Sequence, residues 1–240
     1  MTIELTHPYV PEKHHSHRDV TGGWLRPAVF GAMDGLVSNL ALIAGVVGAA
    51  GAGRGAVVAG VAGLIAGACS MAAGEYTSVK SQTELMRAEI AVERRELARN
   101  PEGEQAELAA MYRAKGLDED LARRVAEGLS ADPEQALRVH VREELGFDPD
   151  DLPSPYVAAA SSFFAFAAGA LVPLVPFLFG ASGLVVAMVV SVLALFGFGA
   201  AVARMTARPW WLGGVRQLAL GTGAAAVTFG LGHLLGVTVS

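Results

Sequence analysis

The chain has 240 residues, of which 52% are hydrophobic and 17% charged, with a formal net charge of −5. That is too apolar and too poor in charge for an ordinary soluble domain, so composition leaves a polytopic, all-α membrane protein. An acidic balance with no basic cluster free of acids excludes nucleic-acid binding, and the lack of a Gly-x-x-x-x-Gly-Lys loop leaves ATP-driven pumping without support.

In chain order, residues 1–26 are polar and carry no short apolar run with a small-residue cleavage site, so no removable signal is expected. His14, His15 and His17 form a short tract there, read as a mobile terminus with weak metal affinity at most. Residues 27–50 and 56–79 are each long enough to span a bilayer, which takes about 20 apolar residues. Each span carries one carboxylate, Asp34 and Glu75. An acid at the centre of a span costs about 3 kcal/mol, and such residues face bundle interiors, ion paths or proton relays. Gly63, Gly67, Met71 and Glu75 step by four, which places two glycines, a thioether and a carboxylate on one helix face. Cys69, the single cysteine, is expected to pack as a small apolar residue. Gly31, Gly35 and Gly45 are expected to permit close helix approach at a dimer axis.

Residues 80–152 change character, with acids outnumbering bases. The second span is predicted to continue as a rigid arm through Arg99, because no Gly or Pro lies between Tyr76 and Pro101. Asn100, Pro101 and Gly103 are expected to break it, with a second helix to about residue 115 and a third over 118–127 before Gly128. Asp132 as N-cap, Pro133 at the first helical position and Gln135 open a fourth helix, which closes at Gly146. Glu89, Glu93 and Glu96 share one face of the arm, Glu104 and Glu107 pair by three, and His140 with Glu144 adds an imidazole and another acid. Like charges at this spacing repel. A divalent cation relieves the repulsion by taking carboxylate oxygens; the alternative is a solvated acidic face, served by Arg94, Arg95 and Arg99.

Three further spans follow, over 156–179, 183–203 and 213–237, with Pro173 and Pro176 interrupting the first of these. Trp210 and Trp211 read as an interfacial aromatic anchor, and His233 lies near the outer end of the last span. With five spans, Lys13, Arg18, Arg26, the 80–152 insertion, Arg204, Arg208 and Arg216 fall on one side and Arg54 alone on the other. That asymmetry places the N-terminus and the insertion in the cytosol and the C-terminus outside or in a lumen. The expected organisation is a cytosolic segment over 1–26, spans one and two over 27–79, a cytosolic acidic helical metal-binding domain over 80–152, and spans three to five over 153–240.

Asp34-Gly35 early in the first span, Ser70-Met71-Ala72-Ala73-Gly74-Glu75-Tyr76 ending the second, and a Glu-rich helical insertion before three more spans resemble the vacuolar iron transporter family. The resemblance runs from about Arg18 over nearly the whole chain. It implies a homodimer of five-helix subunits that exports ferrous iron from the cytosol, into a vacuole or out of the cell, in exchange for protons: an antiporter rather than an enzyme, with no tightly bound cofactor. It further implies that Asp34 and Met71 line the path between the two first helices, with Glu75 at its cytoplasmic mouth. Glu93, Glu96, Glu104, Glu107 and Glu144 match metal-binding carboxylates, with Glu89 and His140 as further candidates. Plant-type members carry an acid where this chain has Gly63, and methionines where it has His140 and Val141; Glu75 is the candidate substitute for the missing acid. Imidazole suits Fe²⁺ and Zn²⁺, and carboxylates accept Mn²⁺ readily, so Mn²⁺ is the competing cargo. A di-iron ferroxidase built from the 80–152 insertion would need a Glu-x-x-His motif, which that insertion lacks. A metal sensor or scaffold that moves nothing is the remaining alternative, and Asp34 argues against it, since a sensor needs no acid within the first span. Richness in Ala, Gly and Arg with few Lys points to a GC-rich bacterial genome and a cytoplasmic membrane.

Overall fold

A computed structural model describes residues 23–178 and 184–239. The histidine tract at 14–17 and the ends of the predicted spans at 179 and 183 lie outside the described residues. Among the described residues there is helix and connecting turn but no strand. Five helices are long and apolar enough to cross a membrane: α1 (Leu25–Ala50), α2 (Arg54–Arg99), α6 (Pro155–Leu178), α7 (Leu184–Met205) and α8 (Trp210–Val239). Between α2 and α6 lie α3 (Pro101–Ala114), α4 (Glu119–Ser130), α5 (Pro133–His140) and a π-helical turn at Val141–Leu145. This is an integral multi-pass membrane protein.

α2 is one unbroken helix of 46 residues, as the run without Gly or Pro beyond Tyr76 requires. Asn100 ends it and caps the next helix, its side chain accepting from the Gly103 amide with Pro101 at the first turn. Gly103 is therefore inside α3 rather than a breaker. Gly128 likewise lies within α4, which runs on to Ser130. One glycine in a helix costs about 1 kcal/mol against alanine, and the buried Ala122 and Ala126 stripe offsets it by packing. Asp132 caps α5 by accepting from the Glu134 amide, and Gly146 closes the π turn in the left-handed region at φ 75°. Pro173 and Pro176 do not interrupt α6, which carries both inside its length and buries both. Membrane helices tolerate proline where neighbours compensate.

α1 is the central span, packed against α6, α8 and α2. Its glycines set these contacts, and here the expectation of a glycine-lined dimer axis is corrected. A Cβ at Gly31 would lie 2.7 Å from the Ser162 carbonyl, and one at Gly35 would collide with the Phe166 carbonyl, so both face α6. Gly45 faces α8, where a Cβ at Gly232 would collide with the Gly45 carbonyl. In a membrane, where water does not drive helices together, such close backbone approach is the main source of packing energy. Side-chain bonds tie the bundle: Thr228 Oγ1 donates to the Ala41 carbonyl at 2.7 Å, and Asn39 Nδ2 to the Ala170 carbonyl at 2.7 Å. Cys69 is a free thiol exposed on α2, not a packed residue, because the membrane half of that helix presents much of its surface outward. At the head of α8, Trp210 packs edge-on to Phe196 and beneath the Arg204 guanidinium, 5.9 Å from its ring centroid.

Candidate functional site

In the membrane bundle, α1, α2 and one residue of α6 line an open cavity of about 460 Å³. α1 contributes Asp34, Ser38, Asn39 and Leu42; α2 contributes Gly63, Gly67, Ser70, Met71, Gly74 and Glu75; α6 contributes Phe166. The four-residue step on α2 explains the hollow. Gly63 and Gly67 have no side chain to fill the space, so Met71 and Glu75 project along an open trough opposite Asp34. The Phe166 ring floors the trough: a Cβ at Gly67 would run into it. Asp34, Met71 and Glu75 are all partly exposed to the cavity, which therefore offers two carboxylates and a thioether, with hydroxyls at Ser38 and Ser70. Ser38 Oγ turns back to the Asp34 carbonyl at 2.6 Å.

The second cluster lies where α2, beyond the span, meets α3, α5 and the π turn. Glu93, Glu104 and His140 each place a ligand atom within 4.8 Å of the others. His140 is fully buried and Glu93 is 4% exposed. His140 Nδ1 lies 3.1 Å from Glu93 Oε1 and 3.8 Å from Glu104 Oε2. The 3.1 Å contact lacks hydrogen-bond geometry, and neither imidazole nitrogen nor that oxygen has a hydrogen-bond partner among the described residues. Buried polar atoms are normally satisfied; a cation facing one imidazole nitrogen and the Glu93 oxygen would satisfy two of these three atoms, the other nitrogen pointing away as an N–H donor.

Charge at this cluster follows the crowding. Burial, then the neighbouring carboxylates of Glu144, Glu104 and Glu96, push Glu93 up to about 7. Burial also raises Glu104, with Glu107, Glu96 and Glu144 adding to it. Burial lowers His140 against the opposing pull of Glu144 and Glu107. A neutral imidazole is the form that ligates metal. Local sequence builds the geometry: Ala136, Leu137 and Val141 form the buried face of α5 and the π turn, and His140, four residues after Ala136, sits on the same face. The Arg94 guanidinium meets both Glu134 carboxylate oxygens at 3.0 and 3.4 Å, tying α2 to α5. Tyr112 donates to Glu143 at 3.3 Å, and Lys115 pairs with the same carboxylate, tying α3 to the π turn.

The family model described as "VIT family" matches residues 25–233. The chain belongs to the VIT family. It is 36% identical over 233 residues to a protein of Acanthamoeba castellanii named vacuolar iron transporter, covering 95% of this chain and 85% of the relative. It is 30% identical over 229 residues to vacuolar iron transporter 1 of Oryza sativa subsp. japonica, covering 94% and 89%. Vacuolar iron transporter homolog 1 of the same plant is 37% identical over 217 residues, covering 89% and 75%.

In this VIT chain the residues singled out from sequence fall into two places. Asp34, Met71 and Glu75 line the same cavity. Glu93, Glu104 and His140 converge, with Glu96, Glu107 and Glu144 exposed around them and close enough to shift their protonation. Glu89 stands exposed one turn before Glu93, outside the three-residue cluster. Arg94 answers Glu134 rather than these acids. Sequence reasoning passed over Asn39 and Phe166. A lone amide in an apolar stretch was the available signal for Asn39; nothing in sequence separates Phe166 from the other aromatics of its span.

Proposed function

We propose that this chain exports ferrous iron from the cytosol in exchange for protons, with Mn²⁺ as the competing cargo. Asp34, Met71 and Glu75 converging on one glycine-opened cavity within the bundle is the observation that carries this reading. Membership of a family whose relatives are named for vacuolar iron transport supports it.

In this reading the cavity is the translocation path. Carboxylates bind either a metal or protons, so arrival of a cation at Asp34 and Glu75 releases protons, and protons arriving from the far side displace the cation. Met71 adds a soft ligand that favours a transition metal over Mg²⁺ or Ca²⁺. The helices between α2 and α6 form a cytosolic collecting domain in which Glu93, Glu104 and His140 hold the metal and Glu96, Glu107 and Glu144 draw it in. The excess of Arg and Lys on that side supports the cytosolic assignment. The working unit is a homodimer, and a bacterial cytoplasmic membrane is the proposed home.

The test is Fe²⁺ uptake into proteoliposomes holding a pH-sensitive dye, with and without an imposed proton gradient. Coupled iron and proton movement, lost in Asp34→Ala, is expected. Iron bound at the collecting cluster with no flux in the unaltered protein would replace the exchanger by a sensor.

A further inference from the structure

Asn39 lies five residues beyond Asp34 on α1 and is 2% exposed. Its two amide atoms have opposite fates. Nδ2 donates to the Ala170 carbonyl of α6 at 2.7 Å. That bond fixes the amide's orientation, because a flip would set two carbonyl oxygens against each other. Oδ1 is thereby turned away from Ala170 towards α2, and it has no hydrogen-bond partner among the described residues. It faces Gly63, where a Cβ would stand 2.9 Å away, and both residues line the cavity that holds Asp34. A buried carbonyl oxygen with no partner is costly to keep. The oxygen is itself closed off, and with no side chain at position 63 it faces the α2 backbone at the wall of the cavity, beside Leu42.

We propose that Asn39 Oδ1 is a cation ligand of the translocation path, paired with the Asp34 carboxylate on the same helix. The proposal rests on the transport reading above and adds the chemistry of the site. An amide oxygen is a hard donor, so it suits Fe²⁺ and Mn²⁺ better than softer ions. It is also neutral at every working pH, so it strengthens binding without exchanging a proton. The path therefore holds a metal with fewer titratable ligands than an all-carboxylate site of equal coordination, and fewer protons move per ion.

Three variants separate a ligand from a packing residue. Asn39→Leu removes both amide atoms, and Asn39→Asp keeps an oxygen at Oδ1 but loses the amide donor to Ala170. Gly63→Ala leaves the Ala170 bond intact and places a methyl group against Oδ1, the flexible end of Leu42 shifting to admit it. Metal uptake into proteoliposomes is read as KM and kcat for Fe²⁺ and Mn²⁺. Losing one ligand is expected to raise KM about tenfold or more in Asn39→Leu and Gly63→Ala, while Asn39→Asp, whose second oxygen meets the Ala170 carbonyl only as a protonated donor, stays near the unaltered KM at low pH and loses that affinity as pH rises. A second readout avoids transport: Mn²⁺ equilibrium dialysis on detergent-solubilised protein in which Glu93→Gln, Glu104→Gln and His140→Ala silence the other cluster. The residual Mn²⁺ binding is expected to disappear with Asn39→Leu and persist at low pH with Asn39→Asp. The assignment is overturned if Asn39→Leu leaves KM and residual binding unchanged, if no residual binding exists, or if Asn39→Asp at low pH falls as far as Asn39→Leu while Gly63→Ala is silent, which is the packing result. If the unaltered protein moves no metal yet residual Mn²⁺ binding depends on Asn39, the transport reading fails and the ligand assignment stands.

Discussion

The two candidate metal sites are built on opposite plans. In the membrane, two carboxylates and a thioether are spread along a trough hollowed out by glycines, and each helix supplies at most one acid. Beyond the membrane, a buried imidazole and two carboxylates are packed within 4.8 Å, with three more acids around them. Sparse ligands in open space suit an ion that must leave again, whereas crowded, desolvated ligands gain most from holding one. In the proposed transport reading, the contrast separates passage from capture within a single chain.

The largest test of that division is Asp34→Ala, which is expected to abolish flux in proteoliposomes while leaving metal binding at Glu93, Glu104 and His140 intact by dialysis. Loss of both together would mean the two sites are one functional unit. His140→Ala should do the reverse, weakening that cluster's affinity by about 10- to 100-fold while kcat at saturating metal is kept. Gly35→Ala probes the frame rather than the ligands: its methyl would collide with the Phe166 carbonyl, at about 1–3 kcal/mol of lost stability, seen as a lower unfolding temperature in detergent.

A smaller effect concerns protons. Unfolded, Glu93 releases its proton near 4.5; folded, it holds it to about 7. The folded state thus binds more protons between those values, so the metal-free protein should lose stability as pH rises across that window. Glu104 adds to the slope, and the lowered His140 opposes it, since an imidazole that resists protonation stabilises the fold as pH rises. Thermal unfolding with a chelator at pH 5 and pH 7.5 should show the net loss, and Glu93→Gln should flatten it. Least of all, Arg94→Ala removes an exposed pair with Glu134 and should cost about 0.5 kcal/mol; a larger loss would show that the α2–α5 link itself shapes the cluster.

How far the sequence foretold this depended on whether a feature is local. The five apolar spans and the long arm to Arg99 were legible, because hydropathy and the absence of Gly and Pro are properties of one segment. The cap at Asp132 was legible for the same reason, whereas Asn100 was read only as a breaker and its capping of α3 came from the structure. Gly31, Gly35 and Gly45 were correctly seen as contact points, but their partners α6 and α8 are remote in sequence, so the partner was misjudged. Periodicity on α2 grouped Gly63, Gly67, Met71 and Glu75 on one face, as the cavity bears out. It could not show that Asn39 stands across from Gly63 or that Phe166 closes the floor, because both depend on how three helices meet.

α2 carries residues of both sites on one uninterrupted rod. Glu75 and Glu93 lie on that helix, so the rise per residue holds them about 27 Å apart. No shared ligand can bridge such a gap, and a charge's influence in physiological salt fades over about 8 Å. In the proposed transport reading, an ion passing between them must be let go into water and met again, and the rod forbids the two ends from closing the distance. A collector that gripped its ion too firmly would starve the path it feeds.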